Sequence, residues 1–218
     1  GVYNRYGSVI IPCQFSQIEC KDNAYYVTKG KYQGIYNLYG SVIVPTQYTS
    51  IYKEGGKYLV ENDSLKGIVN TYGSTVIPCK YNTIEYEDGV YYVSAGGKYG
   101  IYNTYGSTIL PCRYNSVRKE GREYLVENNG LQGIVNTYGS TIIPCRYNKI
   151  QQEGNIYYVT ANGKKGIFNR YGSTIIPCQY DEIISLGHRY IVKRDKKFGV
   201  YNQYGSTILP CQFQKIEC

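Results

Sequence analysis

Eight cysteines, one histidine and a scatter of carboxylates are the side chains in this 218-residue sequence with the most chemistry in them. Cys13, Cys79, Cys112, Cys145, Cys178 and Cys211 each follow a proline, while Cys20 and Cys218 stand apart. An even number of cysteines suits the disulfides that reinforce thin extracellular folds, which makes an extracellular or cell-surface location the expectation. Two pairings make sense. Cys13 with Cys20 and Cys211 with Cys218 would each close a short loop, whereas Cys20 with Cys218 would join the ends of a ring or successive molecules of a fibre. The plainer reading of the proline-linked cysteines is a small buried hydrophobe. No C-x-x-C occurs and structural zinc needs four converging ligands, so no metal is expected.

His188, in "SLGHRY", has no nucleophile or carboxylate beside it, which leaves a Ser-His-Asp or Cys-His site unsupported. The carboxylate pairs Glu85 with Glu87 and Asp181 with Glu182 lie at variable positions, unlike a built acid/base pair. The glycine-rich stretches lack the contexts that cradle a phosphate. Asn62 opens a lone glycosylation triplet, a weak signal. The expectation is therefore no catalytic residue, no cofactor and no enzyme.

The elements that would position any site come from a repeat. Glycines 1, 34, 67, 100, 133, 166 and 199 recur at one constant spacing. They mark six full units, from 1–33 to 166–198, and a shorter seventh at 199–218. A fixed period of this size signals a solenoid, propeller or linear array. No insertion breaks the register, so residues 1–218 read as one repeat domain. Units 1 and 7 agree at 15 of 20 positions, which suits either two like caps or a window of a longer array. A partial alternation with a period of two units also runs through the chain: units 2 and 4 share "YLVEN", while units 3 and 5 share "GIVNTYGS".

With 29 Tyr, 25 Gly and short Val/Ile runs, the composition reads as strands rather than helices. In each unit "GIYN" is a strand and "N-x-Y-G-S" a turn, in which Asn bonds its own backbone and Gly takes a positive φ. "TII" returns, proline ends it, and "YNKI" and "YYV" supply two further strands. The fold expected is all-β, built of tandem hairpin or meander units. An open elongated array is favoured over a closed propeller of six or seven blades, because the short seventh unit lacks a "YYV" strand. The net charge of +8 is spread over variable positions, which argues against a nucleic-acid face. No apolar run approaches a membrane-spanning helix.

The stretch "GKYGIYNTYGSTILPCRYNSV" at 97–117 resembles the WG-repeat family through Gly100, Asn103, Gly106, Ile109, Pro111, Tyr114 and Asn115. The namesake Trp is missing throughout, its place taken by Gln33, Lys66, Tyr99, Gln132, Lys165 or Phe198. The resemblance implies a β-rich tandem array with a non-catalytic interaction or surface role, and it supplies no active site. Tyr6, Tyr39, Tyr72, Tyr105, Tyr138, Tyr171 and Tyr204 form a regular aromatic row. They either cover the hairpin ends or present rigid amphipathic rings to a ligand. The leading expectation is a structural scaffold, surface or filament-forming, that contacts itself or another protein through this face and through its ends. The alternative is a binding module for carbohydrate or protein.

Overall fold

A computed structural model describes residues 1–216. Among them every regular element is a strand, so no helix is long and apolar enough to cross a membrane. The chain divides into two compact units, residues 1–113 and 114 onward.

In the first, β1 (Val2–Tyr3) and β2 (Val9–Ile11) form a two-stranded sheet. Then β3 (Gln17–Lys21), β4 (Ala24–Lys29), β5 (Tyr32–Asn37) and β6 (Val42–Tyr48) make an antiparallel four-stranded meander. The next sheet repeats it with β7 (Ser50–Glu54), β8 (Lys57–Asn62), β9 (Leu65–Asn70) and β10 (Thr75–Tyr81). Four more four-stranded sheets follow, over residues 83–114, 116–147, 149–180 and 182–213. Among the described residues no sheet closes on itself and none shares a strand with another. The all-β tandem expectation holds, with a phase that periodicity alone does not give. Each four-stranded sheet takes two strands from the back of one sequence unit and two from the front of the next.

Proline behaves differently from the expectation that it ends the returning strand. Strand β6 runs through Pro45 and β10 through Pro78; only in the first unit does the strand stop before it, at Ile11. Register explains the tolerance. Val44 pairs with Ile35 and Tyr48 with Gln33, so β6 advances twice as far as β5 between the two pairs. The strand lies at the sheet's edge, where a missing N–H breaks no ladder and a bulge is tolerated.

The bulge folds the residue after proline onto the first glycine of the unit. A Cβ at Gly67 would lie 2.7 Å from the Cα and N of Cys79, and one at Gly100 2.7 Å from the N of Cys112. Glycine is required there for close approach, because the backbone is not otherwise strained.

The core lies between successive sheets. In the first unit Ala24, Ile35, Val44 and Tyr48 of one sheet pack against Tyr58, Val60 and Val69 of the next. In the second, Ile134, Ile143 and Tyr147 pack with Tyr157, Val159 and Phe168. Burial of each such aliphatic side chain contributes about 1.5–3 kcal/mol, and no sheet could supply both sides of the contact alone.

Candidate functional site

Each unit's N-x-Y-G-S turn is built the same way. In the turn between β9 and β10, Asn70 Oδ1 accepts from the backbone N–H of Tyr72 at 3.0 Å and of Ser74 at 2.9 Å. The backbone closes it, with Asn70 N–H donating to the Ser74 carbonyl and Gly73 N–H to that of Asn70. Gly73 has φ of +90°, and a Cβ there would meet the carbonyl oxygen of Ile43 at 2.9 Å. The turn thus rests on edge strand β6 of the preceding sheet and shields that edge. Gly40, Gly106, Gly172 and Gly205 repeat this approach with Ile10, Val76, Ile142 and Ile175.

With the turn fixed at its base, its tyrosine projects outward. Tyr39, Tyr72, Tyr105 and Tyr138 are 89–91% exposed, and Tyr6, Tyr171 and Tyr204 are 76–79% exposed. These rings lie mostly in solvent rather than packed against the protein. Arginine flanks two of them: the Arg5 guanidinium stands 4.6 Å from the Tyr6 ring and that of Arg170 5.3 Å from the Tyr171 ring.

Sequence reasoning missed a second clamp, at position 16 of the unit. Asn82 Oδ1 accepts from Gly96 N–H, Asn115 from Asn129, Asn148 from Asn162, and Asp181 from Asp195, at 2.9–3.1 Å. In the first two units Ser16 and Thr49 donate their hydroxyls to the carbonyls of Thr28 and Glu61 instead. The signal was available, since only short Asn, Asp, Ser or Thr occupies these six places. This gives Asp181 a structural role. Its carboxylate also accepts from Lys164 Nζ at 2.6 Å, and that bond, then the Asp195 N–H, holds its pKa below the ordinary value.

The other chemical candidates do not converge. His188 Nδ1 is paired with Gln203 Oε1 at 2.8 Å on the surface, and Glu85 and Glu87 are exposed on one strand. Asn62 ends β8 with its Oδ1 buried. Among the described residues no group of three or more His, Cys, Asp and Glu comes together.

No disulfide joins Cys13, Cys20, Cys79, Cys112, Cys145, Cys178 or Cys211. The Cys13–Cys20 pairing is therefore not formed, and both pairings that involve Cys218 lie outside the described residues. The cysteines after proline in the third to seventh units are half-buried rather than inert hydrophobes, because each thiol finds a carbonyl across the bulge. Cys79 donates to Leu65 at 3.0 Å, Cys112 to Lys98 at 3.1 Å and Cys178 to Lys164 at 3.1 Å. Burial pushes the Cys79 and Cys178 thiols up from their ordinary pKa. Cys13 and Cys20 are exposed.

Buried tyrosines form a separate class. Tyr81 and Tyr180 meet Tyr102 and Tyr201 edge-on, with hydroxyls 2.6 and 2.7 Å apart. Burial, and then that bond, pushes Tyr180 up to about 12 and Tyr81 higher still.

Residues 67–99, the third unit, match the family model for the WG containing repeat, in agreement with the resemblance read from Gly, Asn, Pro and Tyr. No curated protein matches the chain. Similar solved structures include Hsv2p from Kluyveromyces lactis, at 13% identity over 87% of this chain and 75% of that one, with a TM-score of 0.28. PorZ from Porphyromonas gingivalis is 8% identical over 87% and 33% of the two chains, with a TM-score of 0.29. The WD40 β-propeller domain of Doa1 is 10% identical over 94% and 90%, with a TM-score of 0.26. At scores this low neither fold nor function follows from the likeness.

Proposed function

We propose that this chain, whose third unit is a WG-type repeat and whose other units share its pattern, is a non-catalytic structural scaffold. It acts by presenting its tyrosine-tipped turns to a protein surface, a second copy of itself first of all. One observation carries the reading. Rings that could have packed inward are instead 76–91% exposed, each on a turn locked by two bonds to an asparagine. A rigid exposed tyrosine supplies contact area at little entropic cost, and a regular set suits a surface or fibre lattice. A position at the cell surface belongs to the same proposal.

Sedimentation velocity and electron microscopy of the full chain test it. The expected outcome is concentration-dependent assembly with a regular axial repeat, lost when Tyr72 and Tyr105 are both replaced by Ser. A particle that stays monomeric at every concentration, or assembly that survives those replacements, would overturn it.

A further inference from the structure

A polar cleft of about 370 Å³ lies in the first unit, where the face of β3, β4 and β5 meets β7. Strand register builds its floor. Gln17 stands opposite Thr28 and Thr28 opposite Gln33, so three hydrogen-bonding side chains run in one row across three strands. Glu19, opposite Tyr26, starts a second row. Ser50 and Tyr52 of the next sheet form the facing wall, and the Tyr52 ring is 60% exposed.

In two other units the side chains at the equivalent positions satisfy one another. Thr83 Oγ1 and Ser94 Oγ, the counterparts of Gln17 and Thr28, are 2.7 Å apart. Glu182 and Lys193 form an ion pair at the same two places. Gln132, the counterpart of Gln33, accepts from Ile150 N–H at 2.8 Å. In the cleft, the side chains of Gln17, Thr28, Gln33, Ser50 and Tyr52 have no hydrogen-bond partner among the described residues. The hydroxyl of Tyr26, which also lines it, is buried without a well-formed bond, although Tyr58 lies near. Gln33 further stands where Tyr99 and Phe198 carry aromatic rings in other units.

We infer that this cleft is a binding site for a neutral sugar ring of an oligosaccharide. Its charges cancel, since Glu19 is paired with Lys21 at 3.7 Å, which leaves amides, hydroxyls and an aromatic face to meet the ligand. That set matches a polyol with one apolar ring face. The volume lies at the small end of the range of about 300–1,000 Å³ typical of small-molecule sites. The inference does not depend on the scaffold reading, because none of its residues belongs to the tyrosine turns.

The test is an amide NMR titration of the full chain with maltotetraose, cellotetraose and chitotetraose, and with tetra-alanine as the peptide contrast. At least one sugar should shift amides within 17–33 and 50–52 saturably. Gln33→Ala and Tyr52→Ala, both in surface side chains, should each weaken that sugar about tenfold, with the rest of the spectrum unchanged. Tyr72→Ser with Tyr105→Ser should leave it as it is. No saturable shift with any of the three sugars, shifts confined to other residues, full affinity in both cleft variants, or binding of the peptide alone would overturn the inference.

Discussion

Asn70 satisfies two N–H groups that the strand ladder leaves over, and its counterparts do the same in the other turns. Asn70→Ala should therefore lower stability by about 1 kcal/mol, read as a shift in urea midpoint at constant slope. Gly67→Ala should be worse, by about 1–3 kcal/mol, because the new methyl group meets Cys79 backbone that the bulge holds in place. Thiols give a third check on single residues. Cys13 and Cys20 should react with an aromatic disulfide reagent in the native state well before Cys79 and Cys178, whose burial disfavours the thiolate. Equal rates for all four would contradict the bonding seen at the bulge. Asn70, Gly73 and the tyrosine row were legible from recurrence, because turn chemistry is local. Exposure of Tyr72 was not, since it depends on the turn resting on Ile43 of another sheet. Nor was the Cys79 bond to Leu65, which crosses a bulge that no single unit reveals.

At the scale of the sheets, the two-unit alternation becomes a packing rule. Tyr26 packs into the cluster that holds Val69, whereas Leu59 packs into the one beside Tyr102 and Leu125 into the one with Phe168. A large residue at one place accompanies a small one at the other, further along the chain. The last such pair, Tyr158 and Tyr201, departs from the rule. Polar groups alternate too: Lys57 donates to Tyr91 at 2.8 Å, and Tyr157 donates to Glu123, whereas Ala24 and Ile156 place apolar side chains at the same position. Phe168→Val should open a cavity costing about 2–3 kcal/mol. Adding Leu125→Phe should recover part of that loss, and a double-mutant cycle in urea would measure the coupling; strictly additive losses would refute the rule. The alternation itself was visible in sequence, but its cause was not, because the partners belong to different units. Proline misled for a related reason. A residue that ends a central strand is tolerated on an edge, and only pairing shows that β6 and β10 are edges.

Across the whole molecule, pH acts through the buried tyrosines and the paired acid. Tyr26 and Tyr180 are pushed up to about 12, chiefly by burial, against an unfolded value of about 10. A group whose folded pKa is raised contributes stability below the unfolded pKa and loses it as pH rises through the folded one. The urea midpoint should thus fall between about pH 10 and 12, with buried tyrosines ionising in step with unfolding in near-ultraviolet absorbance. Asp181 has the opposite sign. Its contribution is present above the unfolded carboxylate value of about 4 and is lost as pH falls through its lowered one. Acid should therefore loosen the turn at 194–196 first, as faster amide exchange there.

The pairing of Tyr26 with Val69 and of Leu59 with Tyr102 also bears on how such a gene can change length. Every unit begins and ends in phase, so gaining or losing a single one would still leave complete four-stranded sheets. It would also bring Leu against Val in one interface, hollowing it, and Tyr against Tyr in another, a combination the chain already holds at Tyr158 and Tyr201. Two units gained or lost together restore both fits. Side-chain volume would therefore favour arrays that differ from one another by even numbers of units.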